Sequence, residues 1–144
     1  MSASSQFSVA THILCFLAIK TSGRTTSELL GLSAGANPAV IRRMMRKLSQ
    51  AGLIVSTLGT HATITLALTP ESITMLDVFR AVSDGKRQEL FLLHREPNPL
   101  CLIGSRVPDV LPIAFGRIQS AMEEEMARIT IADLAKQIEE SMGG

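Results

Sequence analysis

The segment TTSELLGLSAGANPAVIRRMMRKLSQAGLIV, residues 25–55, decides the fold. It begins with hydroxyl residues before Glu28, and a hydroxyl residue ahead of an acidic first turn is typical of a helix start. This first helix is short and is predicted to close at Gly31, with a turn at Gly35-Ala36 before the next element.

The second helix of the segment opens at Asn37-Pro38. Asn37 suits the N-cap, and Pro38 suits the first helical position. The helix is predicted to run to about Gln50, because Ala51-Gly52 ends it. Its apolar face consists of Ile41, Met44, Met45 and Leu48. Two short helices joined by a tight turn that contains glycine form a helix-turn-helix.

The hydrophobic period changes after this helix. Residues 53–55 are strand-like, and residues 63–68 alternate polar and apolar side chains with period two. The turn-rich stretch between them contains Gly59. Two strands and a loop after a helix-turn-helix make a wing. The predicted fold class is therefore mainly α with a small β-wing, a winged helix-turn-helix.

Helices are also predicted on both sides of this unit. One covers residues 7–21, and Thr74 caps another that runs from Met75 to about Ser83. The predicted organisation has three parts: a winged helix-turn-helix DNA-binding domain over residues 1–85, a connecting loop or short helix over residues 86–107, and a dimerisation helix with a C-terminal helix over residues 108–144.

The dimerisation helix is predicted from one apolar stripe with helical spacing. The stripe consists of Leu111, Phe115, Ile118, Met122, Met126 and Ile129. Pro112 is expected in the first turn, since an interior proline would break the helix. A second copy of the chain is the natural partner for such a stripe, and packing on its own domain is the alternative. Thr130 then caps a last helix over residues 131–141.

The charge is divided unevenly along the chain. Residues 1–60 hold six basic residues and one acid, whereas residues 88–144 hold five basic residues and nine acids. The basic part suggests a module that faces a polyanion. No apolar run approaches the length of a membrane span, and two cysteines make no disulfide framework, so we expect a cytoplasmic protein without a membrane partner. No nucleophile, phosphate-loop or metal-ligand spacing is present, so no enzyme and no metal site is expected.

The predicted second helix carries the DNA-binding hypothesis. Arg42 and Arg43 lie away from its apolar face and are candidates for base contacts, while Arg46 and Lys47 suit the phosphate backbone. A solvated basic face is the alternative. The residues at the two helix starts that could approach bases or phosphates are Thr26, Ser27, Asn37 and Ala39. Thr26 and Ser27 could equally be simple caps.

Five short segments match the motifs of one known family in the same order. They are FSVA followed by Leu17-Ala18 (residues 7–18), AGLIVS (51–56), LALTPESITMLDV (66–78), CLIG (101–104) and TIADL (130–134). On these motifs the chain resembles the Rrf2 family of bacterial winged-helix transcription regulators. The resemblance implies a transcription regulator, and together with the apolar stripe and the helix-turn-helix it leads us to expect a homodimeric repressor that binds a near-palindromic operator in double-stranded DNA.

The chain departs from that family in two places. The family's wing carries an Arg-Gly pair and then Gly-Gly-Tyr, where this chain has Leu58-Gly59 and residues 62–64. A wing contact to DNA is then left to Thr57, Thr60 and His61, or is absent. Cluster-binding members carry three cysteines before the long helix. This chain has Cys101 alone there, so no iron–sulfur cluster and no other cofactor is expected.

The sequence is compatible with more than one kind of effector signal. Cys101 lies between Arg95 and Arg106 in a loop that contains prolines, and a nearby cation favours thiolate chemistry. A redox sensor acting through Cys101 is therefore one hypothesis, an unreactive packed cysteine another, and an unknown small-molecule effector a third. A protein–protein interaction module is the alternative to DNA binding, because winged helices serve that role too.

Overall fold

Six α-helices and a two-stranded wing make up the computed structural model, which describes residues 3–20 and 22–143. The helices are α1 (Ala3–Ile19), α2 (Ser27–Ala34), α3 (Pro38–Gln50), α4 (Met75–Val82), α5 (Val107–Arg128) and α6 (Ile131–Gly143). The strands are β1 (Ile54–Ser56) and β2 (Ile64–Leu66), and a single 3₁₀ turn covers Pro70–Ser72. The predicted fold class, mainly helical with a small β-wing, is confirmed.

The core forms where α1 meets the helix-turn-helix. Ala10, Ile13 and Leu14 of α1 are completely buried, and so are Ile41, Met44 and Leu48 of α3. Burying each large aliphatic side chain contributes roughly 1.5–3 kcal/mol, so this contact is the main stabilising layer of the N-terminal part. Helix α1 ends at Ile19, and Thr21, its predicted last residue, lies outside the described residues.

Helix α2 extends further than predicted. It does not close at Gly31 but continues to Ala34, where Gly35 adopts a left-handed conformation with φ of 61°. The amide of Ala36 donates to the carbonyl of Gly31 at 3.1 Å across this turn. The helix therefore ends at the glycine that can take a positive φ at low cost, not at the first glycine in the sequence.

The wing is a short antiparallel hairpin. Ile54 pairs with Leu66, and Ser56 pairs with Ile64. Ile54 and Ile64 are buried on the core side, while Val55 and Thr65 face outward. This alternation is the one that the period-two pattern of the sequence predicted.

Two copies of an Ile-Thr-x-x-Asp motif join the C-terminal helix to the winged unit. Thr74 caps α4 and Thr130 caps α6, each in a reciprocal capping box whose two hydrogen bonds measure 2.9 and 3.1 Å. The two threonines face each other in an antiparallel bridge. The amide of Met75 donates to the carbonyl of Ile129 and the amide of Ile131 to that of Ile73, both at 2.8 Å. Helix α6 is thereby held against α1.

Helix α5 differs from its prediction at both ends. Pro112 lies inside the helix, in its second turn, not in the first. It is tolerated because the carbonyl that loses its partner belongs to the exposed Pro108 and can be solvated. Ile129 is not part of the helix, since its φ of −99° and ψ of 124° are extended and its carbonyl serves the bridge to Met75.

Residues 83–106, all of them described, contain turns and irregular chain, with no helix. Gln119 of α5, which is 6% exposed, fixes this segment to the helix. Its amide accepts a hydrogen bond from the Leu90 amide at 2.8 Å and donates to the Gln88 carbonyl at 2.6 Å. Gln119 also donates to Glu123, and this bond, together with Arg87, lowers the pKa of the Glu123 carboxyl.

The helices of the described residues include none that is both long and apolar enough to cross a membrane. This holds for α5 too, although it has 22 residues. Its exposed face carries charged side chains, for example Arg117 and Glu124.

The contacts of Gln119 predict a specific loss of stability. Replacing Gln119→Ala leaves the backbone groups of residues 88 and 90 without their partner, and we expect the free energy of unfolding to fall by about 1–2 kcal/mol. Urea denaturation followed by circular dichroism measures it. Gln137→Ala, an exposed glutamine on α6, is the matched control and should change stability by less than about 0.5 kcal/mol. Equal losses in the two variants would contradict the role of Gln119.

Candidate nucleic-acid interface

Helix α3 presents a basic face to solvent because its other face is fixed in the core. Ile41, Met44 and Leu48 are completely buried against the rest of the winged unit. Arg42, Arg43 and Arg46 fall on the opposite side of the helix and are exposed. Since an α-helix has 3.6 residues per turn, burying the first set turns the three guanidinium groups outward together.

The three arginines of this basic face carry uncompensated charge. None of them forms an ion pair with a carboxylate in the described part of the chain, where the ion pairs join Lys47 to Asp84, Arg87 to Glu123 and Arg128 to Glu125. Each guanidinium therefore keeps its planar set of donors available for another partner. Such a group pairs with the O6 and N7 atoms of guanine or with phosphate oxygens.

The helix starts beside this face are held by side-chain caps. The Asn37 side chain accepts a hydrogen bond from the Ala39 amide at 2.8 Å, and the Thr26 hydroxyl accepts one from the Leu29 amide at 3.2 Å. The Ser27 hydroxyl lies 3.4 Å from a Glu28 carboxylate oxygen. Thr26 is thus a cap, one of the two roles considered for it, and its oxygen is already in use.

Lys47 does not lie with the arginines, contrary to its predicted position on the backbone-contacting face. Its ammonium group donates to the carbonyl of Val82, at the end of α4, at 2.8 Å and lies 3.5 Å from Asp84. The side chain is 18% exposed. A cation at the C-terminal end of a helix satisfies a carbonyl and interacts favourably with the helix dipole. Lys47 therefore joins α3 to α4.

Of the three wing residues predicted to contact DNA, Thr57 forms hydrogen bonds within the wing loop, whereas Thr60 and His61 are exposed. The Thr57 hydroxyl accepts from the Thr63 amide at 2.9 Å and lies 3.3 Å from its carbonyl, so it closes the wing loop. His61 is exposed, and so is Thr60 at the turn. The loop over residues 56–63 contains no lysine and no arginine.

Arg24 lies near this interface, although no local pattern in the sequence points to it. It lies before α2, outside any helix or strand, yet its guanidinium donates to the carbonyl of Thr60 at 2.7 Å. The two residues are far apart in sequence, so no local pattern links them. The one signal in the sequence was that Arg24 belongs to the basic excess of residues 1–60.

The predicted dimerisation stripe is partly covered by its own chain. Leu111, Met122 and Met126 are half-buried, and the ring of Phe115 lies 5.3 Å from that of Phe91. Ile118 is 47% exposed. Other large apolar side chains are exposed on α5 and on the segment before it: Leu90, Phe91, Leu92, Leu93, Leu100, Leu102, Ile103, Val110 and Ile113.

The two cysteines lie on separate elements, Cys15 in α1 and Cys101 in the irregular chain before α5. Cys15 is buried in α1, and burial raises the pKa of its thiol. Cys101 is exposed, with its sulfur 3.3 Å from the Gly104 amide. Within the described ranges, no three His, Cys, Asp or Glu side chains come together in a way that could hold a metal ion. An iron–sulfur cluster takes about four such ligands, so the residues present do not fit one.

An open groove of about 1010 Å³ runs between α1 and α6. Its walls are mainly apolar and include Phe7, Phe16, Leu134 and Ile138. The volume is of the order found for small-ligand sites. The groove lies on the face formed by α1 and α6 and includes none of the α3 arginines.

Comparisons with known proteins agree with this architecture. The family model described as Rrf2, iron-dependent transcriptional regulator, matches residues 3–137. YwnA of Bacillus subtilis (strain 168), whose name gives its inferred role as an HTH-type transcriptional regulator, is 36% identical over 130 residues, which are 90% of this chain and 94% of YwnA.

Solved structures are similar as well. CymR (YrzC), the global cysteine regulator of B. subtilis, superposes with a TM-score of 0.69 at 25% identity, covering 95% of this chain and 98% of CymR. A structure from Lactobacillus plantarum has a TM-score of 0.76 at 20% identity, covering 93% and 89% of the two chains, and supports the fold.

The different positions of Lys47 and Arg46 predict different effects of mutation. Lys47→Ala should lower the free energy of unfolding by about 1–2 kcal/mol, because the Val82 carbonyl loses its donor. Arg46→Ala, its neighbour on the exposed face, should change stability by less than about 0.5 kcal/mol. Chemical denaturation of both variants measures the difference. If Lys47→Ala proves as stable as Arg46→Ala, the contact with α4 contributes nothing.

Proposed function

Because this chain belongs to the Rrf2 family of transcriptional regulators, we propose that it binds a near-palindromic operator in duplex DNA as a homodimer and represses the adjacent gene. It is a DNA-binding regulator and not an enzyme. The observation that carries the proposal is the exposed and unpaired basic face of α3, the second helix of the helix-turn-helix. A dimer that covers a promoter excludes the polymerase, and this is the simplest route to repression.

The positions along α3 suggest how the arginines divide their contacts. The N-terminal residues of a recognition helix approach base edges, and later residues meet the backbone. We therefore assign Arg42 and Arg43 to bases, with guanine as the preferred partner, and Arg46 to a phosphate. The exposed Ala39 and the first-turn amides of α2 lie at helix starts that favour a phosphate. A basic face of this kind suits a nucleic acid better than an apolar protein partner.

A second copy of the chain is the partner we propose for α5. Large apolar side chains are exposed on α5 and along residues 90–103, and an exposed apolar patch of this kind is typical of a protein–protein interface. Ile118 lies on the edge of the stripe that its own chain leaves open. A two-fold dimer would place two α3 helices in successive major grooves, roughly 34 Å apart.

The cofactor-free state and the nature of the signal stay predictions. The two cysteines lie on separate elements, which supports regulation without a cluster. Cys101 is exposed and Cys15 is buried with a raised pKa, so a thiol-based signal would act through Cys101. A small-molecule effector is the other hypothesis, and the groove between α1 and α6 is large enough for one.

The DNA-binding proposal is tested by selection of random-sequence duplex DNA with the purified protein. We expect an enriched, near-palindromic sequence whose binding weakens as salt rises. In the double variant Arg42→Ala/Arg43→Ala, the loss of base contacts should weaken binding to the enriched duplex by about 1–3 kcal/mol per lost contact and relax sequence preference. Arg128→Ala, on α5, is the control for lost charge. No enrichment, or full affinity in the double variant, would refute the proposal.

The dimer is tested by placing a charge on the open edge of α5. Ile118→Glu should give a monomer in analytical ultracentrifugation, because a buried unpaired carboxylate is strongly unfavourable in an interface. Leu68→Glu replaces an aliphatic side chain that is 46% exposed, against 47% for Ile118, and should stay dimeric. A dimeric Ile118→Glu variant would place the interface elsewhere.

A further inference from the structure

We propose that Arg24 is the cation of the wing and donates to a backbone phosphate of the bound DNA. The inference rests on the proposed function, because it needs a duplex beside α3. It assigns a DNA contact to a residue that lies outside the helix-turn-helix and outside the hairpin.

The chain just before α2 is fixed along the free edge of the wing. The amide of Thr25 donates to the Thr63 hydroxyl at 3.1 Å, and the amide of Ile64 donates to the Thr25 carbonyl at 3.0 Å. Thr25 is 5% exposed. These contacts attach Thr25, the residue after Arg24, to Thr63 and to Ile64 at the start of β2. The origin of the Arg24 side chain is therefore fixed relative to the wing.

The side chain of Arg24 extends from this point to the turn of the wing. One nitrogen, Nη1, donates to the carbonyl of Thr60 at 2.7 Å. On the other side, Lys20 donates to the Arg24 carbonyl at 3.3 Å. A guanidinium has five N–H donors in a plane, so one bond to the wing leaves most of them for another acceptor. No carboxylate pairs with Arg24 in the described ranges, and the residue is exposed.

The wing has no permanent positive charge of its own. Residues 56–63 contain no lysine or arginine. The hydrogen bond to Thr60 places the positive charge of the Arg24 guanidinium beside the turn of the wing. The same segment leads directly to Thr26, the cap of α2, whose first-turn amides also favour a phosphate. Arg24 thus lies between the turn of the wing and the start of α2, the two elements that would face the duplex backbone in the proposed complex.

The experiment measures how binding depends on salt. The duplex is the one enriched by the wild-type protein, and the dissociation constant is measured by fluorescence anisotropy over a series of KCl concentrations. Each phosphate contact contributes about 0.9 to the slope of log K against log salt, so Arg24→Gln should lower the slope by about 1.8 for a dimer. Arg24→Lys keeps the charge and should keep the slope. Lys136→Gln removes the same charge from the exposed face of α6 and should also keep it.

Each outcome decides a separate point. An unchanged slope in Arg24→Gln overturns the inference even if affinity falls, since Arg24 would then only brace the wing. A slope lowered equally in Arg24→Lys and Arg24→Gln also overturns it, because charge would not be the cause. If Arg24→Gln alone loses slope and retains the unfolding midpoint of the wild type, the inference holds. If the wild type enriches no duplex, the proposed function fails and the inference fails with it, whereas normal wild-type binding confines any failure to Arg24.

Discussion

The burial of one face of α3 is the constraint on which the rest of this structure depends. Ile41, Met44 and Leu48 are completely excluded from water, and removing any of them from the core would cost several kcal/mol. The helix cannot rotate about its axis without exposing them. The outward direction of Arg42 and Arg43 is therefore a consequence of packing, and no interaction of the arginines themselves is needed to hold it.

The same layer determines what becomes of Lys47. It follows Arg46 directly, but it lies at the border of the buried face, where α4 packs against α3. Its ammonium group donates to the carbonyl of Val82. A residue that looks in the sequence like part of a basic cluster therefore joins α3 to α4. A basic run in a sequence therefore does not become one functional surface unless the packing of its helix keeps every member exposed.

The long C-terminal part is tied back to the winged unit by a backbone bridge, together with the burial of Ile131 in the core. The bridge between Thr74 and Thr130 satisfies backbone groups at the start of two helices at once and sets α6 against α1. Gln119 does the same for the irregular chain before α5. With these points fixed, part of the apolar surface of α5 is left without a partner inside the chain, and this surface is the basis for the proposed dimer.

The sequence by itself determined the element order, the helix-turn-helix, the wing and the basic face of α3, because each depends on patterns that repeat within a few residues: helical or alternating periodicity, caps and glycines. Thr74 and Thr130 were also predicted as helix caps from the sequence, whereas the reciprocal bonds of their capping boxes came from the structure. What only the tertiary structure decided involves residues distant in sequence: the link of Lys47 to α4, the return of α6 to α1, and the contact of Arg24 with Thr60. Such pairs depend on which surfaces the folded core brings together, and no local pattern in the chain encodes that proximity.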